Sequence, residues 1–176
     1  MKTLLLLQNL DRRRVNLFGF AACAGAILFA LFAQYGLKLQ PCHLCIFQRV
    51  EVLALGVVFL AAAVHNPNER GARVYGVLVG VVALITAATA GRHVWIQMQP
   101  PGTVPGCGAD LAFMLDVFPL MQVIIKVFKA GGECAKVVFS FLGISFPGWV
   151  LVFVTILGSA GVWANWKLPR SSRAPL

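Results

Sequence analysis

Four apolar stretches, each close to twenty residues long, constrain this chain more than any other feature. They run roughly from Val15 to Tyr35, Leu44 to Val64, Val74 to Gly91 and Phe146 to Trp166. A helix needs about 20 such residues to cross the hydrocarbon core of a bilayer. Inside lipid the backbone must satisfy its own polar groups, which leaves helices and closed barrels as spanning structures. Barrel strands alternate apolar and polar positions, and these stretches do not. The expected fold is an all-α membrane protein, a four-transmembrane-helix bundle. Composition agrees, with 59% hydrophobic and 12% charged residues, against about 25% charged in a soluble domain.

The net charge of +9 does not gather into one basic patch, so no nucleic-acid partner is expected. The basic residues instead cluster just outside the apolar stretches, where they set orientation. Lys2, Arg12, Arg13, Arg14, Arg70, Arg73, Lys167, Arg170 and Arg173 fall on one side. Lys38, Arg49, Arg92, Lys126, Lys129 and Lys136 fall on the other. The nine-to-six bias predicts a cytoplasmic arm over 1–14 and a cytoplasmic tail over 167–176. The membrane domain then spans 15–166, with loops 36–43 and 92–145 facing outward. The apolar run after Arg12 to Arg14 continues well past Cys23, too long for the core of a cleaved signal peptide, so cleavage there is not expected.

One further segment, LAFMLDVFPLMQVIIKVF at 111–128, is long enough to raise the question of a fifth span. Asp116 and Lys126 would each cost about 3 kcal/mol near mid-membrane, and Pro119 would break the helical ladder. A fifth span would also carry the basic tail to the outside. The segment is expected to form two short amphipathic helices in the membrane interface, broken at Pro119.

Chemistry concentrates in PCHLCIFQR, residues 41–49, at the head of the second apolar stretch. Cys42 and Cys45 sit at the start of a helix after Pro41, and a helix N-terminus favours a thiolate. Residues 42, 45 and 49 share a face at spacings of three and four. Arg49 can thus stabilise negative charge at Cys45, and Gln48 can donate a hydrogen bond in the same region. Cys107 and Cys134 form a second pair in the long loop, in the glycine-rich contexts PGCG and GGEC. All four cysteines then lie on one oxidising face, where disulfides persist. The fifth, Cys23, is expected to be a small core residue. In GRHVWIQMQP, residues 91–100, His93 and Gln97 are four apart and share a helix face at the same depth as the dithiol.

Several plainer readings stand beside these. The loop pair can be a structural staple, or, in a flexible loop, a disulfide open to exchange. Arg49 can be a snorkelling anchor, and Arg92, His93 and Gln97 ordinary interfacial residues, with Trp95 at headgroup level. Cys42, His43, Cys45 and His93 could supply four zinc ligands, but His43 adjoins Cys42 and no compact second ligand motif follows. No metal is expected.

PCHLCIFQR, GRHVWIQ, PGCG, FPL at 118–120, GGEC and FLGISFPGW at 141–149, in this order, resemble the bacterial disulfide bond formation protein B (DsbB) family over roughly residues 12 to 166. The resemblance implies an inner-membrane four-helix bundle that oxidises a periplasmic DsbA-type dithiol protein and passes two electrons to a membrane quinone, ubiquinone or menaquinone. It implies that Cys107 and Cys134 exchange with the partner, Cys107 being the sulfur attacked. Cys42 and Cys45 match the pair beside the quinone, Cys45 being the thiolate that meets it. Arg49, His93 and Gln97 match quinone-side positions. Many members carry Glu before the arginine where this chain has Gln48, so a role for that carboxylate does not transfer. Phe139 stands where the family often has Trp. A DsbA-type donor near −120 mV needs a strong terminal acceptor. The alternatives are a quinone and thiol oxidoreductase of the vitamin K epoxide reductase kind, whose CxxC comes late in the chain, and a structural membrane protein whose disulfides only fix its loops.

Overall fold

The computed structural model describes residues 11–100, 111–129, 132–135 and 139–170. Cys107, the arm before residue 11, Lys136 and the tail from 171 lie outside the described residues. Four long helices dominate: α1 (Arg12–Tyr35), α2 (His43–His65), α3 (Glu69–Gln97) and α6 (Phe146–Lys167). All four are long and apolar enough to cross a membrane. Between α3 and α6 come α4 (Leu111–Val117), α5 (Leu120–Lys129), a 3-10 turn at Gly132–Ala135 and a hairpin of β1 (Ser140–Phe141) and β2 (Ile144–Ser145). Phe118 and Pro119 separate α4 from α5.

Local chemistry fixes where α1 and α3 begin and where α2 ends. Asp11 caps α1 by accepting from the Arg14 backbone N–H at 3.3 Å. Asn66, in the left-handed conformation at φ 39°, ends α2, a conformation that asparagine tolerates. Asn68 then caps α3 by accepting from the Gly71 N–H at 3.2 Å. The connection from α2 to α3 is therefore only residues 66–68, shorter than the 65–73 linker that hydropathy marks out. At its other end α3 continues through His93 to Gln97, six residues beyond the expected span.

Small residues let the helices meet closely, as they must where lipid offers no hydrophobic drive between spans. Phe59 of α2 is fully buried. An added Cβ at Gly19 of α1 would come within 2.8 Å of its ring, and one at Gly161 of α6 within 2.6 Å. Phe59 thus fills the centre of the bundle, with Cys23, Val52, Leu55, Val79, Ala83, Val154 and Leu157 around it. Cys23 is a core residue, as expected.

The two ends of the bundle differ. At one end the start of α1 meets the α2–α3 turn and the end of α6: Arg12 donates from Nη2 to the Pro67 carbonyl at 2.8 Å and from its backbone N–H to the Pro169 carbonyl at 3.2 Å. Arg12 and Arg13 are buried there, not solvated in an arm. One turn inward, Asn16 and Asn165 exchange side-chain hydrogen bonds at 3.1 and 2.9 Å. At the other end, Met114 of α4, Val123 of α5 and Cys134 pack onto Leu44 of α2 and Ile96 of α3. This second cluster ties the α3–α6 connection to the mouth of the bundle.

Candidate redox site

The site begins with the way α2 starts. Cys42 is its N-cap residue, in extended backbone at φ −74° and ψ 170°, and makes no side-chain cap bond. Pro41 therefore lies just outside the helix, and Cys45 sits in the first turn. The two Sγ atoms are 3.1 Å apart, in contact as a dithiol and one short movement from the roughly 2.05 Å of a disulfide.

The α3 extension brings His93 to this pair. Its Nε2 lies 3.6 Å from Cys42 Sγ, and its Nδ1 lies 3.2 Å from Gln48 Nε2. His93 and Gln48 are both nearly fully buried. The sequence suggested that Gln48 would serve Cys45; its partner is the imidazole across the helix–helix seam.

Cys134 joins from the loop. Its side chain hydrogen-bonds to Cys42, a backbone group of Cys134 hydrogen-bonds to His93, and its own residue is buried in the second cluster. The hydrogen bond with Cys134 pulls the Cys42 thiol down, but the bond Cys42 makes to Cys45 and its burial outweigh this. The thiol is pushed up to about 12. Burial and the contact with Cys45 thus favour the protonated form of Cys42.

Arg49 makes its hydrogen bonds on α1. It hydrogen-bonds to the Gln34 side-chain oxygen of α1, and its Nη2 donates to the Ala30 carbonyl at 3.1 Å. Its charge stays within Coulombic reach of Cys45. Gln34 is a residue that sequence reasoning missed, since nothing in the spacing along α2 points to a partner on α1.

These groups border a cavity of about 230 Å³. Cys42, Cys45, Gln48, Arg49, His93 and Gln97 line it together with apolar side chains from α1 and α6 and Phe139. Phe29 and Phe146, both in its wall, lie parallel at 6.1 Å between ring centroids. An apolar pocket with a few convergent polar groups suits a small, mostly hydrocarbon ligand with a few polar atoms. Of the expected site residues, the structure brings six into one wall and sets Cys134 against it, and Cys107 lies outside the described residues. His43, weighed as a zinc ligand, is not part of the group: among the described residues the donors that gather within 4.8 Å of one another are those of Cys42, Cys45 and His93.

Residues 12–164 match the family model described as "Disulfide bond formation protein DsbB". The chain belongs to the DsbB family. Relatives named disulfide bond formation protein B resemble it over nearly their whole length. The one from Nitrosococcus oceani is 49% identical, over 88% of this chain and 92% of its own. That from Chromobacterium violaceum is 46% identical over 94% and 98%, and that from Saccharophagus degradans 46% over 86% and 91%. A DsbB-family fold accounts for the pairing of four membrane-length helices with a dithiol at one end of the bundle.

Proposed function

We propose that this DsbB-family chain is an inner-membrane thiol oxidase that reoxidises a periplasmic DsbA-type dithiol protein and passes the two electrons to a membrane quinone. The observation that carries the reading is the Cys42–Cys45 pair, which borders an apolar cavity on one side and hydrogen-bonds to the loop cysteine Cys134 on the other. Thiols reach toward a soluble partner and toward lipid at once, which a structural disulfide has no need to do.

The electron path follows from thiol–disulfide exchange. A thiolate of the reduced partner attacks Cys107 of the Cys107–Cys134 disulfide, and Cys134 leaves as the free thiolate. Cys134 then attacks Cys42 of the oxidised Cys42–Cys45 pair, so that Cys45 leaves. The partner's second thiol resolves its mixed disulfide and departs oxidised. Attack by Cys107 on Cys134 re-forms the loop disulfide and leaves the Cys42–Cys45 dithiol. A quinone bound in the cavity supplies the two-electron, two-proton acceptor. Cys42 carries one proton, His93 Nε2 is positioned to relay it, and Arg49 holds positive charge beside Cys45. Gln97 adds a polar edge to the cavity wall.

Orientation rests on charge. The end bearing Arg12, Arg13, Arg70, Arg73 and Lys167 is taken as cytoplasmic, so the dithiol end faces the periplasm. The exposed apolar side chains of Phe113, Val117, Leu120, Met121 and Ile125 support α4 and α5 lying along the membrane interface. The test is reduction of ubiquinone and menaquinone analogues by the purified protein with reduced DsbA. Turnover that depends on Cys42, Cys45, Cys107 and Cys134 is expected; turnover unaffected by Cys45→Ser sinks the proposal.

A further inference from the structure

The donor set around the dithiol does more than exchange disulfides. Cys42 Sγ, Cys45 Sγ and a ring nitrogen of His93 all lie within 4.8 Å of one another. The sulfurs are 3.1 Å apart, and Cys42 Sγ is 3.6 Å from His93 Nε2. A tetrahedral zinc-class ion, about 2.3 Å from sulfur and about 2.0 Å from nitrogen, spaces such donors roughly 3.4–3.8 Å apart. The two separations that involve Cys42 lie within about 0.7 Å of this range, and Cys45 and His93, within 4.8 Å of each other, would have to close by up to about 1.3 Å to complete the set.

The imidazole is also held as a metal-binding histidine is held. Its remote nitrogen, Nδ1, is engaged by Gln48, and such outer contacts fix ring orientation at metal centres. With the Gln48 amide turned so that its oxygen accepts from Nδ1–H, and with the Cys134 backbone contact to the ring released or shared at that same N–H, Nε2 turns a lone pair toward the sulfurs; amide oxygen and nitrogen interchange readily in such assignments. All three ligands border the cavity, so water could take a fourth position from that side, as in three-ligand sites, with the Cys134 side chain on Cys42 as its neighbour. Charge balances as well. Two thiolates neutralise a divalent cation, so the centre is neutral at the edge of lipid. The opposing charge of Arg49 is engaged by Gln34 and the Ala30 carbonyl.

We infer that the reduced protein binds one thiophilic divalent cation on Cys42, Cys45 and His93, and that this ion reversibly blocks reoxidation of the dithiol. Binding displaces one proton from each thiol and moves no electrons. The oxidised pair offers no thiolate, so the site exists only in the reduced state. The blocking half of the inference rests on the proposed function; the binding half rests on the donor geometry alone.

The test is anaerobic titration of the full-length reduced protein, in detergent, with Co²⁺. One ion per chain is expected, with thiolate-to-cobalt charge-transfer absorption that Zn²⁺ abolishes by displacement. Prior oxidation, Cys42→Ser or Cys45→Ser should each remove the signal. His93→Ala should weaken binding at least tenfold, and His93→Gln, which keeps a polar group in the buried slot, serves if the alanine variant does not fold. Cys134→Ser should leave the signal in place. Binding that survives loss of His93, or that vanishes with Cys134→Ser, overturns the assigned ligand set. Stoichiometric Zn²⁺ should stop quinone reduction and a chelator restore it; undiminished turnover in Zn²⁺ overturns the block. Quinone reduction without cobalt binding defeats this inference alone, and cobalt binding without quinone reduction supports the site while defeating the proposed function.

Discussion

Gln48 Nε2 lies 3.2 Å from His93 Nδ1, and this contact joins the second and third membrane helices one turn below the dithiol. Both side chains are nearly fully buried. Gln48→Leu removes the partner and leaves a buried ring nitrogen unsatisfied, a cost of about 1–3 kcal/mol. Thermal unfolding in detergent should register that loss. Dithiol oxidation should slow as well, because the imidazole facing Cys42 loses its orientation. Gln48→Glu, which keeps a polar partner for Nδ1, should keep most of the rate. Equal rates for the leucine variant and the parent chain would remove the contact from the working site.

Arg49 offers a sharper test because its hydrogen bonds go to α1 and not to the sulfurs. Arg49→Met or Arg49→His should raise the apparent KM for quinone. Gln34→Leu, which frees the guanidinium from its side-chain partner on α1, should reproduce part of that effect without touching a cysteine. Quinone-dependent initial rates across a concentration series check both. An unchanged KM in the Arg49 variants would take the arginine out of the cavity's chemistry.

The cysteines should separate by function. Cys134→Ser should abolish turnover with reduced DsbA yet leave oxidation of a small soluble dithiol, which can reach the Cys42–Cys45 pair directly. Cys45→Ser should abolish both. Cys23→Ser should leave the rates nearly intact and lower stability only modestly, since Cys23 packs in the bundle core beside Gly56. Parallel assays with the two thiol donors distinguish these cases. Loss of small-dithiol oxidation in well-folded Cys134→Ser protein would contradict the proposed relay.

The spans were legible in the sequence because lipid imposes a length and a polarity that few soluble segments share. The ends of the third helix were less so. Asn68 and Glu69 announce its start in capping terms, but hydropathy alone begins the span at Val74. Its far end carries Arg92, His93 and Gln97, which read as residues outside the membrane. In that last stretch His93 meets Gln48 and Ile96 packs into the second cluster, contacts that hydropathy does not report. The CxxC and its arginine were visible as a motif. The direction of Arg49 was not, because spacing along one helix reports only neighbours on that helix, and Gln34 is fifteen residues away on another. Arg12 and Arg13 read as charges of a cytoplasmic arm, and their burial was hidden for the same reason: the Pro67 and Pro169 carbonyls that receive Arg12 come from distant turns.

The opposite end of the bundle yields a prediction that concerns stability alone. Asn16 of α1 and Asn165 of α6 exchange two side-chain hydrogen bonds, and Asn165 also donates to the Gly161 carbonyl at 2.9 Å. Both residues are nearly fully buried. Interhelical bonds of this kind in membrane proteins contribute about 0.6 kcal/mol on average and up to about 1.7. A reciprocal buried pair belongs at the upper end, because removing one partner strands the other. Asn165→Leu should therefore destabilise by about 1–2 kcal/mol. Asn16→Leu should do likewise, and the double variant should cost less than the two changes added together, the mark of direct coupling. Quinone reduction measured below the unfolding transition should be unaffected, since neither residue lines the cavity. Additive losses in the cycle would mean that the two amides act independently and that the contact does not hold α1 to α6.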